Sequence, residues 1–244
     1  MEGYEAFKKL REQSGMTTRE FASKAGIALS TLVYYENGKK SLLNLPIKKA
    51  IILFDILQCE ISQFYLEYYP LESVVEKKVE EWKLAHPREY DYNKLFVRIK
   101  NRLMQQKSRA RLPDEIYLSL ENRFYILFDK LAEETDKQGK ISDQAYSELV
   151  VPYLHDLGCA LEDSLPEEQK YKNEISKRIN DKLLYTDYTY KDLATLVDIH
   201  ECRISSCMTN KGDFMDIRIG TAIKICLVLE ETIENIFFNT ESVE

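Results

Sequence analysis

A gap-free internal repeat constrains this chain more than any other feature. Shifted by 172 residues, two segments align: Thr17 falls on Thr189, Ala22 on Ala194, Ile27 on Ile199 and Lys39 on Lys211. Farther on, Ala50 falls on Ala222, Ile51 on Ile223, Leu57 on Leu229 and Ile61 on Ile233. Other pairs keep apolar character, such as Phe21 with Leu193, Leu32 with Ile204 and Leu53 with Ile225. Unrelated amphipathic helices rarely hold one register through their turns, so the pattern predicts one small helical module used twice. The chain then divides into residues 1–66, a middle segment 67–169, and residues 170–244.

Local signals predict five short helices per copy. In the first, Gly3 to Gln13 carries Phe7 and Leu10 on one side, and Gly15 stops it. Thr17 with Glu20 three residues on is a capping box for a second helix running to about Ala25. Gly26 supplies its C-terminal turn. A third helix follows from about Leu29 to Glu36 and ends at Asn37-Gly38. Pro46 suits the first turn of a fourth, Ile47 to Leu57, and a last short helix holds Ile61 and Phe64.

Two short helices joined by a tight turn can place the second in the DNA major groove. Phe7 to Tyr65 resembles the repressor-like helix-turn-helix family of the lambda and 434 repressors, the XRE family. The residues that carry the resemblance are Leu10-Arg11, Thr18-Arg19-Glu20-Phe21-Ala22, Gly26-Ile27, Ser30-Thr31-Leu32 and Glu36-Asn37-Gly38-Lys39. It implies that Arg11 of the first helix pairs with Glu36 at the end of the recognition helix. In the second copy, Tyr188 to Phe237, the equivalent residues are Leu183 and Met208, so both partners are apolar together. Replacing both members of a buried pair can be neutral where removing one is costly. The second copy departs from the family at Asp198, where glycine is usual.

The resemblance assigns DNA contacts to the start of helix two and the outer face of helix three: Thr18, Leu29, Ser30, Val33 and Tyr34, with Lys39 and Lys40 in the next loop. Thr18 and the lysines would hold phosphates, which position the protein without specifying sequence. Ser30 and Tyr34 can hydrogen-bond base edges; Leu29 and Val33 can meet only thymine methyls or other apolar surface. The second copy presents Tyr190, Glu201, Cys202, Arg203, Ser205 and Ser206, with Lys211 after the helix. Arg203 can reach a guanine and Glu201 can accept from a cytosine, but the segment is net acidic, and the alternative is a retained fold serving dimerisation.

Charge qualifies this reading. The net charge is −7, and only residues 1–66 are mildly basic, at +2; the middle segment is −6 and the last −3. The middle segment predicts helices over Ser73–Leu84, Tyr92–Gln106, Pro113–Glu134 and Ile141–Leu157, the last kinked or split at Pro152, with boundaries at His86-Pro87, Gly158 and Pro166. Val74, Val75, Val79 and Trp82 form the apolar side of the first of these. From Lys94 to Arg111 it holds Lys94, Arg98, Lys100, Arg102, Lys107, Arg109 and Arg111 with no acid. Leu95, Ile99 and Leu103 form its buried stripe, and the bases can grip phosphates or an acidic partner, or be a solvated face. Glu134 to Ala145 has part of a calcium-loop spacing but ends on Ala145, where a bidentate Glu is needed.

The sequence has no run of about 18 apolar residues and no signal-peptide pattern, so no membrane association is expected. Five cysteines without a Cys-x-x-Cys pair suit a reduced cytoplasmic protein, most of them serving as small core residues. His86, His155 and His200 lack metal spacing, and no nucleotide loop or nucleophile motif appears. The expectation is therefore an all-α protein with two five-helix repressor-like modules flanking a helical middle. It would be a DNA-binding regulator, not an enzyme, with neither cofactor nor metal. Its partner would be double-stranded DNA, bound as a homodimer. The alternative is a mobile-element module acting on a protein partner, such as an inhibitor of a host defence nuclease or an antitoxin.

Overall fold

The computed structural model describes residues 1–86, 90–108, 112–164, 174–186, 188–209 and 211–238. The chain is mostly helical and packs as two units, Met1–Trp82 with Tyr188–Glu244, and Lys83–Asp187. The three sequence segments are thus a division along the chain. By packing, its two ends share one unit.

The first unit begins with α1 (Gly3–Gln13), α2 (Thr18–Lys24), α3 (Leu29–Glu36), a 3-10 turn (Leu42–Asn44), α4 (Ile47–Ile56) and α5 (Ile61–Tyr68). Phe7, Phe21, Phe54, Phe64 and Tyr65 are buried and meet ring to ring at 4.9–6.1 Å. These aromatics join α1, α2, α4 and α5 around one core, within the favourable range for edge and tilted pairs. The Tyr65 hydroxyl donates to the Leu42 carbonyl at 3.0 Å, fixing the turn before α4. Burial pushes the Tyr65 phenol well above its ordinary value, so it stays a donor.

α6 (Leu71–Ala85) follows, with Leu71 and Val75 buried. Of the predicted apolar side, Val74 stands 42% exposed, so the helix buries a narrower stripe than the pattern suggests. The unit is completed by α12 (Tyr190–Leu196), α13 (Glu201–Met208), a 3-10 turn (Phe214–Asp216), α14 (Ile219–Val228) and α15 (Ile233–Phe237). The first four of these elements start and end 172 residues after α2, α3, the first 3-10 turn and α4; α15 starts in register with α5 and ends earlier.

The second unit holds a two-stranded antiparallel ribbon that an all-helical reading does not anticipate. Tyr90 pairs with Ile141 and Asp91 with Lys140, joining β1 (Tyr90–Asp91) to β2 (Lys140–Ile141). Around it lie α7 (Tyr92–Ser108), α8 (Asp114–Glu133), α9 (Asp143–Ala145), a π-helical turn (Tyr146–Val150), α10 (Val151–Asp163) and α11 (Glu174–Thr186). The π turn precedes Pro152. A proline has no N–H and its ring crowds the carbonyl four residues back, and the chain widens here so that the Val151 N–H reaches the Tyr146 carbonyl. Pro152 therefore neither splits nor ends the helix. Gly158 lies inside α10 and marks no boundary; Pro87 and Pro166 lie outside the described residues.

The first helix expected of the C-terminal copy, α11, packs on α10 and groups with this second unit. Two cysteines, Cys207 and Cys226, are buried; Cys59 and Cys159 are half-buried and Cys202 is exposed, so most are not core residues. Among the described residues no helix is long and apolar enough to cross a membrane.

Candidate nucleic-acid interface

The geometry around α3 is built by local chemistry. The Thr17 N–H donates to the Glu20 carboxylate at 2.8 Å, and the Glu20 N–H returns to the Thr17 hydroxyl at 3.3 Å. The Thr17 hydroxyl first, and its backbone N–H second, hold the Glu20 carboxyl below its usual value. At the other end of α2, the Gly26 N–H donates to Ser23 and the Ile27 N–H to Ala22, the two bonds of a Schellman turn. Gly26 sits at φ 61°, in the left-handed region that glycine enters without steric penalty.

α3 then leaves the turn with Leu32, Tyr35 and Glu36 buried. Glu36 receives Arg11 of α1 at 2.5 Å, and a second Arg11 nitrogen donates to the Met16 carbonyl at 2.8 Å. This clamp ties α1, the α1–α2 loop and the end of α3 together. It fixes which face of α3 points outward. On that face Leu29, Ser30 and Tyr34 are exposed, and Val33 is half-buried beside them. Thr18 is half-buried at the start of α2.

The loop after α3 folds back. The Lys40 N–H donates to the Tyr34 carbonyl at 3.1 Å. The ammonium groups of Lys39 and Lys40 then lie 5.8 and 5.6 Å from the Tyr34 ring centre. Two phosphate-binding candidates and one base-edge candidate thereby form a single cluster. Sequence reading named all three without placing them together, because the loop's return is a tertiary feature. It passed over Arg19, which is exposed next to Thr18 in the first turn of α2. The signal was present, since Arg19 belongs to the same motif as Thr18.

Residues 7–64 match the helix-turn-helix family model. No curated protein and no solved structure matches the chain. The helix-turn-helix match runs from α1 into α5 and takes in Leu29, Ser30, Val33, Tyr34, Lys39 and Lys40. About a quarter of the chain is covered, and the elements after Tyr188 lie beyond it.

Those later elements share the local chemistry. The Thr189 N–H donates to Asp192 at 2.9 Å and the Asp192 N–H to the Thr189 hydroxyl at 3.2 Å. Asp198 holds φ 60° where the helix-turn-helix segment has Gly26. Its side chain is held by Lys78 of α6 and, at 3.1 Å, by Lys224 of α14. On α13, Glu201, Cys202 and Arg203 are exposed, Ser205 and Ser206 half-buried; Lys211 is exposed in the loop beyond and Tyr190 half-buried on α12.

The basic stretch belongs to the other unit. Lys94, Arg98, Lys100, Arg102 and Lys107 lie on α7, above the buried Leu95, Ile99 and Leu103. Lys107 sits 4.4 Å from the Tyr117 ring centre and Lys100 5.4 Å from that of Phe96. Arg109 and Arg111 lie outside the described residues.

Proposed function

We propose that this protein is a sequence-specific DNA-binding transcriptional regulator of the repressor type, a binding protein rather than an enzyme. The observation that carries the reading is the helix-turn-helix match over residues 7–64 with the outer face of α3 open. In this reading α3 lies in the major groove. Ser30 and Tyr34 hydrogen-bond base edges, Leu29 and Val33 meet thymine methyls, and Thr18, Lys39 and Lys40 grip phosphates. The elements α12 and α13 act as a second module, with Arg203 and Glu201 toward the bases. Pairing two weak modules raises avidity through effective concentration, whether by homodimerisation or within one chain.

A second reading has one specific observation in its favour: Leu29, at the start of α3, is 42% exposed. An apolar side chain there suits a protein surface, as in a mobile-element inhibitor of a host nuclease or an antitoxin. The deciding experiment is enrichment of fragmented genomic DNA on the purified chain at two salt concentrations, followed by sequencing. Reproducible enrichment of a common site is expected. No enrichment at either salt overturns the DNA reading. In that case Leu29→Asp should abolish a protein complex that Lys39→Ala and Lys40→Ala leave intact.

A further inference from the structure

Resting on that reading, we propose that one chain reads a bipartite, non-palindromic duplex, with α3 on one half-site and α13 on an unlike second half-site. The geometry behind this is a local two-fold relation inside the first unit. The Ile47 N–H donates to the Ile217 carbonyl at 3.0 Å, and the Ile219 N–H to the Leu45 carbonyl at 2.7 Å. Residues 47 and 219 are equivalents in the repeat, as are 45 and 217. Each bond is therefore the other with the two copies exchanged. Between them Pro46 faces Arg218, its own equivalent. Ser62 donates to Glu234 at 3.0 Å, again a residue and its equivalent, 172 positions apart.

A pair of contacts in which each is the other with the two copies exchanged arises only about a two-fold axis. These contacts therefore fix an axis through the starts of α4 and α14 and of α5 and α15. Each copy uses the same patch, which is the definition of an isologous interface. Such an axis gives α3 and α13 equal height and equal tilt relative to it. That is the relation between recognition helices on two half-sites about one helical turn apart, about 34–36 Å. In this chain the relation needs no second subunit.

The two faces are not equivalent in chemistry. Leu29, Ser30, Thr31, Val33 and Tyr34 of α3 correspond to Glu201, Cys202, Arg203, Ser205 and Ser206 of α13. One face offers apolar contacts for thymine methyls; the other offers a guanidinium for guanine and a carboxylate for cytosine. A symmetric frame with unlike faces selects an asymmetric sequence.

The test is selection from a randomised duplex library by the full chain, with stoichiometry by native mass spectrometry. The expected result is two dissimilar half-sites about 10 base pairs apart, bound by one chain per duplex. Arg203→Ala should lower affinity about 5- to 100-fold and relax preference in one half-site only. Ser30→Ala with Tyr34→Ala should relax the other. All three positions are exposed, and circular dichroism verifies folding of each variant. A palindrome bound by two chains, or preference unaltered by Arg203→Ala, overturns this inference while the DNA-binding reading stands. A library with no enriched sequence overturns that reading and the inference with it.

Discussion

Arg11 and Glu36 are the two charged side chains buried to below a tenth of their surface among the described residues. Breaking a buried pair leaves an uncompensated charge, so Arg11→Ala should destabilise the protein by about 3–5 kcal/mol in urea unfolding. Arg11→Leu combined with Glu36→Met copies the residues at the equivalent positions, Leu183 and Met208, both of which are buried. The double variant should cost far less than either single one; equal losses would mean that the charges do not act as a pair. Asp198 tests a different balance. It occupies the left-handed region, which Asn also tolerates, and Lys78 first, then Lys224, holds its carboxyl below the ordinary value. A depressed carboxyl stabilises the fold above the unfolded-state value near 3.8, and that contribution is lost as pH falls through the folded-state value. Asp198→Asn should therefore be less stable than wild type at pH 6, by under about 1 kcal/mol for so exposed a group. The gap should close as pH drops below about 4 and should shrink in high salt. A gap unchanged by pH would show that the carboxylate's ion pairs contribute nothing.

At the scale of the element, the Tyr34, Lys39 and Lys40 cluster makes the helix and its following loop one contact surface. Lys39→Ala and Lys40→Ala should each weaken binding to all duplexes alike and flatten the salt dependence, by about one unit of slope for each phosphate no longer neutralised. Tyr34→Ala should instead weaken the preferred site by about 1–3 kcal/mol more than random DNA. Titrations at several salt concentrations separate the two behaviours, and equal losses on every duplex from all three variants would remove Tyr34 from sequence reading. The elements themselves were largely legible. Thr17 with Glu20, Gly26 and the apolar spacing of Phe7 and Leu10 are local signals, and local signals place helices. What escaped the sequence is non-local. The two-residue ribbon of Tyr90–Asp91 with Lys140–Ile141 is too short to show a period of two, and it exists because α7 and α8 bring distant segments together. The π turn at Tyr146–Val150 answers to Pro152, which by sequence alone suits a kink or a break.

For the whole molecule, the 172-residue register was visible in the sequence, but the contact between its two segments was not. Ile47, Ile217, Leu45 and Ile219 join through backbone atoms, and backbone pairing leaves no compositional trace. Among the residue types at this contact, Gly220 marks a close approach. A Cβ there would stand 3.0 Å from the Leu43 Cβ and 3.2 Å from the Leu43 carbonyl oxygen. The equivalent position across the axis is Lys48, which is exposed and pairs with Asp216 of the other copy at the surface. The two sides of the axis are therefore packed unequally, tight at Gly220 and open at Lys48. Gly220→Val should force the start of α14 away from Leu43, at a cost of about 1–3 kcal/mol for overpacking. Its consequence for binding is specific if both copies engage one duplex. Displacing one module lowers the effective concentration at the second half-site, so affinity for a two-half-site duplex should fall. Affinity for a duplex carrying the α3 half-site alone should stay at the wild-type value. Lys48→Ala removes an ion pair between the copies that is about half exposed and therefore weak, and should leave both affinities nearly unchanged. Fluorescence anisotropy with the two duplexes and all three proteins resolves the matter: a Gly220→Val variant that is well folded and keeps full two-site affinity would show that contact between the copies does not set the spacing of the recognition helices.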